Sequence, residues 1–332
     1  MKFAEMSVFD VCGAALSWIG RQGTRALAAL VVAGIVAPPV GAAVKPFVTE
    51  AVFVLLCIAF LRMDAAALRA CLARPAMVLA ATAWTSLCLP LLFAAGCLAL
   101  GLKGRSPDLF LALMLQGIAS PMMAAPALAA LMGLDATLVL VTLVTSTALI
   151  PLTAPLFAHV FIGPVLTLSP SALGIKLFAV LAGSALAGFT ARRIAGPDAI
   201  ERQKDKIDGF NILVLFVFVA AIMEGVAARF LAAPLVMVGL AVGALAVFFA
   251  VFCVTALVFV AAGRERALAL GFMASQRNMG LMLAATGGAL PDLTWLYFAV
   301  SQLPIYLSPH LLRPLTRRVL ARVPTPAAPE KD

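Results

Sequence analysis

Charge is scarce in this chain. Only 12% of its 332 residues are Asp, Glu, Lys or Arg, while 64% are hydrophobic, and the mean hydropathy is +1.09. Soluble domains carry roughly 25% charged and 45–50% apolar residues, so a water-exposed globular enzyme is excluded. Histidine is limited to His159 and His310, and the six cysteines (Cys12, Cys57, Cys71, Cys88, Cys97, Cys253) contain no CxxC pair. The cysteines lie mostly inside apolar runs, so they read as small hydrophobes and not as metal ligands or a disulfide framework, and no cofactor is implied. A P-loop, a dinucleotide-binding glycine pattern, HExxH and a nucleophile elbow are all missing. An ATP-driven pump or an intramembrane protease therefore lacks its chemistry. Residues 1–25 show no cleavable-signal pattern and read as a short amphipathic lead-in.

What remains is apolar sequence in long runs without the period-two alternation of barrel strands, which reads as all-α and membrane-integral. Windows of about 20 residues give ten expected spans, near 26–43, 47–61, 76–100, 109–132, 137–162, 172–190, 210–228, 235–262, 267–286 and 293–312. With the N-terminus inside, 18 of the 24 Lys and Arg fall on the inner side and four on the outer, while Lys176 and Arg277 lie within spans. That bias places both termini in the cytoplasm and suits a plasma membrane of the bacterial inner-membrane type. The formal net charge of +9 is a topology signal. No basic run is interleaved with aromatics as a nucleic-acid surface would be. The partition is a first five-span repeat at 26–162, a second at 163–312 and a cytoplasmic tail at 313–332. Five is odd, so two such halves must be inverted.

Arg277 is the most informative single residue. A cation at bilayer depth costs ~2.5–3.5 kcal/mol on insertion scales, so it must face protein, water or a ligand. It sits in the polar run Ser275-Gln276-Arg277-Asn278, closed by Gly280, inside an otherwise apolar segment. Sliding the chain by 157 residues brings the fourth span onto the ninth. Leu111-Ala112-Leu113 then meets Leu268-Ala269-Leu270, and Met122, Ala127, Asp135 and Thr137 meet Met279, Ala284, Asp292 and Thr294. Ser120-Pro121 falls on Arg277-Asn278, and Pro121 and Pro126 deny helical donors. Each half is thus expected to carry one helix interrupted at mid-depth, the best sequence pointer to a transporter site.

The run Ser120-Pro-Met-Met-Ala-Ala-Pro-Ala-Leu128 with Gly133-Leu-Asp135, the run from Val141 to Leu152, and Arg277-Asn-Met-Gly-Leu281 resemble the bile acid:sodium symporter family. The resemblance implies ten helices in two inverted five-helix repeats, two discontinuous helices crossing at mid-membrane, and a panel domain rocking against a core. The sequence departs from the family's sodium ligands. Pro126 and Ala127 stand for a Ser-Asn pair, Met273 for an acidic ligand, and Arg277 for a Gln. A hard cation needs oxygen ligands and negative charge, so sodium coupling is not expected, and no metal site is. The related arsenite carriers use a thiol where Ser120 stands, which disfavours that substrate.

The expected function is secondary transport of an amphipathic organic anion. Its candidate binding residues are Gln116, Ser120, Pro121, Ser275, Gln276, Arg277, Asn278 and Gly280, with Met122, Met123, Met273, Met279 and Met282 as apolar walls. Arg277 would offer a carboxylate its bidentate fork. The competing reading pairs it with Asp135, Asp292 or Glu224, or spends it on carbonyls freed at the breaks. Glu50 and Glu224 are proton-carrier candidates or plain helix-end charges, and Asn211 and Gln302 are interhelical hydrogen-bonders. A sodium-coupled symporter on backbone ligands and a non-transporting receptor or scaffold remain the alternatives.

Overall fold

In the computed structural model, residues 8–22, 38–63 and 75–320 are described. Most of the expected first span and the tail beyond Leu320 lie outside the described residues. The elements are α1 (Val8–Gln22), α2 (Pro38–Val44), α3 (Val48–Arg62), α4 (Pro75–Ala83), α5 (Leu89–Ala99), α6 (Leu102–Arg105), α7 (Pro107–Ile118), α8 (Ala125–Leu131) and α9 (Ala136–Phe157). They continue with α10 (Pro170–Ala195), α11 (Pro197–Arg202), α12 (Lys204–Ile222), α13 (Val226–Ala232), α14 (Pro234–Val258), α15 (Arg264–Ser275), α16 (Met279–Thr286), α17 (Asp292–Val300) and α18 (Gln302–Leu320). Among the described residues there is no strand, only one isolated bridge between Pro121 and Arg277. Among the described residues, six helical stretches are long and apolar enough to cross a membrane: Pro39–Arg62, Pro75–Ala99, Ala136–Ile162, Pro170–Ala195, Lys204–Ala232 and Pro234–Val258. This is an all-α membrane protein.

One expectation changes in detail. By hydropathy the charged stretch 191–209, between the sixth and seventh expected spans, reads as a loop, because hydropathy marks where the bilayer ends. Helix formation does not stop there. α10 runs on to Ala195, α11 follows at Pro197 and α12 starts at Lys204, so only Gly196 and Gln203 interrupt the helices. Gly196 supplies the break with φ +80°, a conformation that costs glycine little.

The buried side chains form two large apolar clusters. One draws on α3, α7, α10, α12, α16 and α17. The other draws on α8, α9, α14 and α15. The pairs α7/α8 and α15/α16, each adjacent in sequence, therefore divide between opposite clusters. Each cluster takes one member of either pair, and the two connections between them meet where the clusters join.

Small residues let helices approach closely, as lipid-embedded packing requires. Ser184 and Gly188, one turn apart on α10, are both buried. A Cβ at Gly188 would sit 2.6 Å from the Cys57 carbonyl oxygen and 2.7 Å from Phe60 Cβ on α3. At Gly96 it would meet nothing within 4 Å. Gly188→Ala should therefore lower stability by about 1–3 kcal/mol through overpacking, seen as a reduced thermal midpoint of the purified protein. Gly96→Ala should leave the midpoint unchanged or raise it.

Candidate functional site

The helix breaks arise from missing donors. α7 ends at Ile118, Ala119 is extended (φ −62°, ψ 151°) and α8 resumes at Ala125. A helix continuing through this point would ask residue 121 for an N–H to the Gly117 carbonyl, and Pro121 has none. α15 ends at Ser275, and α16 restarts at Met279. Asn278 caps that restart, its Oδ1 accepting from the Leu281 N–H at 3.0 Å, a role suited to Asn.

The two connections bind one another. The Asn278 N–H donates to the Ser120 carbonyl at 2.8 Å, and the Met122 N–H donates to the Gln276 carbonyl at 2.7 Å. These reciprocal bonds satisfy backbone groups that the helix breaks leave without helical partners.

Arg277 locks this junction. Its side chain is 1% exposed. Nη1 donates to the Ala119 carbonyl at 3.0 Å, and Nη2 donates to the Gly117 carbonyl at 3.0 Å and the Thr85 carbonyl at 3.4 Å. Two of these acceptors are the orphaned carbonyls at the end of α7, where the helix dipole also favours a cation. The third has its own cause. Between α4 and α5 the chain makes a π-helical turn, Trp84–Cys88, in which the Leu89 N–H bonds back to the Trp84 carbonyl. The next residue is Pro90, without an N–H, so the Thr85 carbonyl has no helical donor and takes the guanidinium instead.

Three bonds from a charged donor, at ~1.5–3 kcal/mol net each, outweigh an insertion cost of ~2.5–3.5 kcal/mol. The fork expected to face a ligand is turned onto protein carbonyls in this conformation. Nε has no hydrogen-bond partner, and among the described residues no carboxylate forms an ion pair with Arg277. Asp135 caps α9 through the Leu138 N–H, and Glu224 pairs with Lys45 at 2.8 Å.

The junction closes one end of a cavity of about 490 Å³. Of the eight candidate residues, Arg277, Asn278 and Gly280 line it. The other five are packed nearby or behind it. Pro121 pairs with Arg277 in the bridge. Gln116 accepts from the Tyr297 hydroxyl at 2.5 Å, Gln276 donates to Ser308 Oγ at 2.5 Å, and Ser275 donates to the Phe272 carbonyl at 2.8 Å. Ser120 Oγ is buried without a partner. Met122, Met123 and Met279 line the cavity as expected, whereas Met273 and Met282 are buried in the cores, because a helix can present only part of its circumference to one space.

The lining also includes Asn211 and Gln302, read from sequence as hydrogen-bonding glue, and Arg62, read as a topology charge. Nothing distinguishes Arg62 in sequence from the other basic residues at helix ends. Among the described residues the lining contains no carboxylate, and no three His, Cys, Asp or Glu cluster to hold a metal ion. Scans against protein-family models and against curated protein sequences return no match for this chain.

Arg277→Gln should leave at least two buried carbonyls without donors, at ~1–3 kcal/mol each, and lower the thermal midpoint more than Asn278→Ala, which removes one cap worth ~1 kcal/mol. Arg277→Lys should fall between wild type and Arg277→Gln. Equal midpoints for wild type and Arg277→Gln would show that the carbonyl bonds contribute nothing.

Proposed function

We propose that this chain is a divergent member of the bile acid:sodium symporter family and a secondary transporter that moves an amphipathic organic anion by alternating access. It works as a carrier and not as an enzyme. The observation that carries this reading is the junction itself: two helix interruptions hydrogen-bonded to each other at the closed end of an apolar cavity whose lining holds two guanidinium groups and no carboxylate among the described residues. Interrupted helices meeting at a cavity are how transporters build a midplane site.

Further features support an inverted repeat of ten spans. α7 and α15 have identical lengths and bounds related by the same 157-residue offset found in the sequence. Asp135, the N-cap of α9, and Asp292, the first residue of α17, are related by that offset too. Each element pair gives one member to either core, as crossing helices would.

The cavity flanks the Arg62 end of α3. Beyond the other end of α3, Lys45 Nζ bonds Glu224 at 2.8 Å and lies 4.7 Å from the Trp295 ring centroid. These contacts tie three segments together on the side away from the cavity, as a carrier closed on that side requires. With the charge bias of the sequence, the open side is the cytoplasmic one, and both termini are cytoplasmic in a membrane of the bacterial inner type.

Arg277 supplies permanent positive charge where a sodium ion would otherwise be loaded each cycle, so transport runs without sodium. Purified protein in vesicles preloaded with unlabelled octanoate should accumulate labelled octanoate by counterflow. Replacing sodium with potassium or choline should leave that rate unchanged. A saturable sodium requirement would overturn the sodium-free mechanism, and the absence of counterflow for any organic anion would favour a receptor or scaffold.

A further inference from the structure

The cavity is lined by two cations, and they differ in what they can offer. Arg277 is enclosed, with three N–H groups committed to carbonyls. Arg62 is not. Its side chain is 36% exposed and, among the described residues, forms an ion pair through Nη1 to Asp208 Oδ1 at 2.7 Å, with the Asp208 side chain 30% exposed. Exposed pairs of this kind are weak and exchange readily with competing ions. Asp208 itself does not line the cavity, whereas Arg62 does.

The geometry also sets the cavity's polarity along its length. A Cβ on Gly280, beside the junction, would contact Val52 Cγ2 at 3.4 Å. Arg62 lies ten residues further along the same helix, about 15 Å at 1.5 Å per residue. Asn211, another lining residue, is three residues on from Asp208 in α12 and so lies on the same face one turn deeper. The deep wall carries Met122, Met279 and Phe218. Toward the junction the wall therefore combines apolar side chains with an enclosed guanidinium already bonded to carbonyls, and the far end carries a partly exposed one.

Building on the carrier reading above, we propose that Arg62 is the residue that binds the anionic head of the substrate, at the far end of the cavity from the junction, with Asn211 beside it and the apolar body directed inward. Asp208 is its competitor. In the empty site Asp208 occupies the guanidinium, and an arriving carboxylate displaces it, forming the bidentate contact that suits arginine. Empty and loaded states thereby differ in whether α3 and α12 are tied together at this end.

The test is equilibrium binding of radiolabelled octanoate to the purified full chain, with octanamide as the uncharged competitor. Arg62→Gln should weaken octanoate binding at least tenfold and abolish the preference for octanoate over octanamide. Asp208→Asn should act in the opposite direction, tightening octanoate binding severalfold, because it frees Arg62. Arg62→Lys should restore part of the preference. Opposite signs for the two partners are the decisive readout, since a pair that only staples α3 to α12 would make both variants less stable and neither more avid. If Arg62→Gln does not fold, Arg62→Lys and Asp208→Asn carry the same contrast.

The inference is overturned if Asp208→Asn weakens binding, or if Arg62→Gln folds and keeps the wild-type preference. Should that happen while wild-type counterflow persists, Arg62 loses its role and the carrier reading stands. If the wild type neither binds octanoate nor shows counterflow, both fall together.

Discussion

Everything at the centre of this molecule depends on a shortage of backbone donors. Pro121 removes one below α7, and Pro90 removes another after the π turn. The carbonyls left behind lie where no water reaches, and an unpaired carbonyl at that depth is costly. Arg277 answers several of them at once, because a guanidinium carries five donors on one rigid plane and stays charged. The cation needs the carbonyls as much as they need it. A lone arginine would be expensive in lipid, and lone carbonyls would unravel the helix ends. Together they form a stable junction from two individually unfavourable parts.

That junction explains the shape around it. α8 and α16 restart from connections pinned to each other by reciprocal backbone bonds. Gly280, the second residue of α16, lies so close to α12 and α3 that a Cβ there would meet the Phe218 ring at 3.3 Å and Val52 Cγ2 at 3.4 Å. The walls are therefore drawn together at one end and remain apart toward Arg62. A largely apolar cavity with the buried Arg277 at one end and the more exposed Arg62 at the other follows from where the helices stop. Buried side chains alone would have closed the space.

The membrane class was legible in the sequence, and so was the placement of Pro121 and a buried Arg277 between helical stretches, because each goes with a strong rule. Charge does not occur at bilayer depth without cause, and proline does not sit inside a helix without releasing a carbonyl. The partners of Arg277 were less legible. The Thr85 carbonyl is freed by a π turn, and the turn and Pro90 act on a residue far from Arg277 in sequence. The place of Arg62 in the cavity lining was hidden for a different reason. A basic residue ending an apolar span always reads as a topology signal, and only the folded chain shows that one of them borders a cavity. Gln116, Ser275 and Gln276 were singled out for being polar and near the breaks. Gln116 and Ser275 bond within the packing, and Gln276 donates to Ser308 Oγ while its own Oε1 is left without a partner.

Alternating access, as proposed, requires the cavity to be one of two exposed states of the same site. Leu215 lines it, and a single cysteine at that position, in a chain whose six native cysteines are replaced, reports access directly. A membrane-impermeant maleimide should label it in both inside-out and right-side-out vesicles, with octanoate slowing the reaction from either side. Labelling from one side alone, under every ligand condition, would contradict alternating access and leave the cavity as a static pocket.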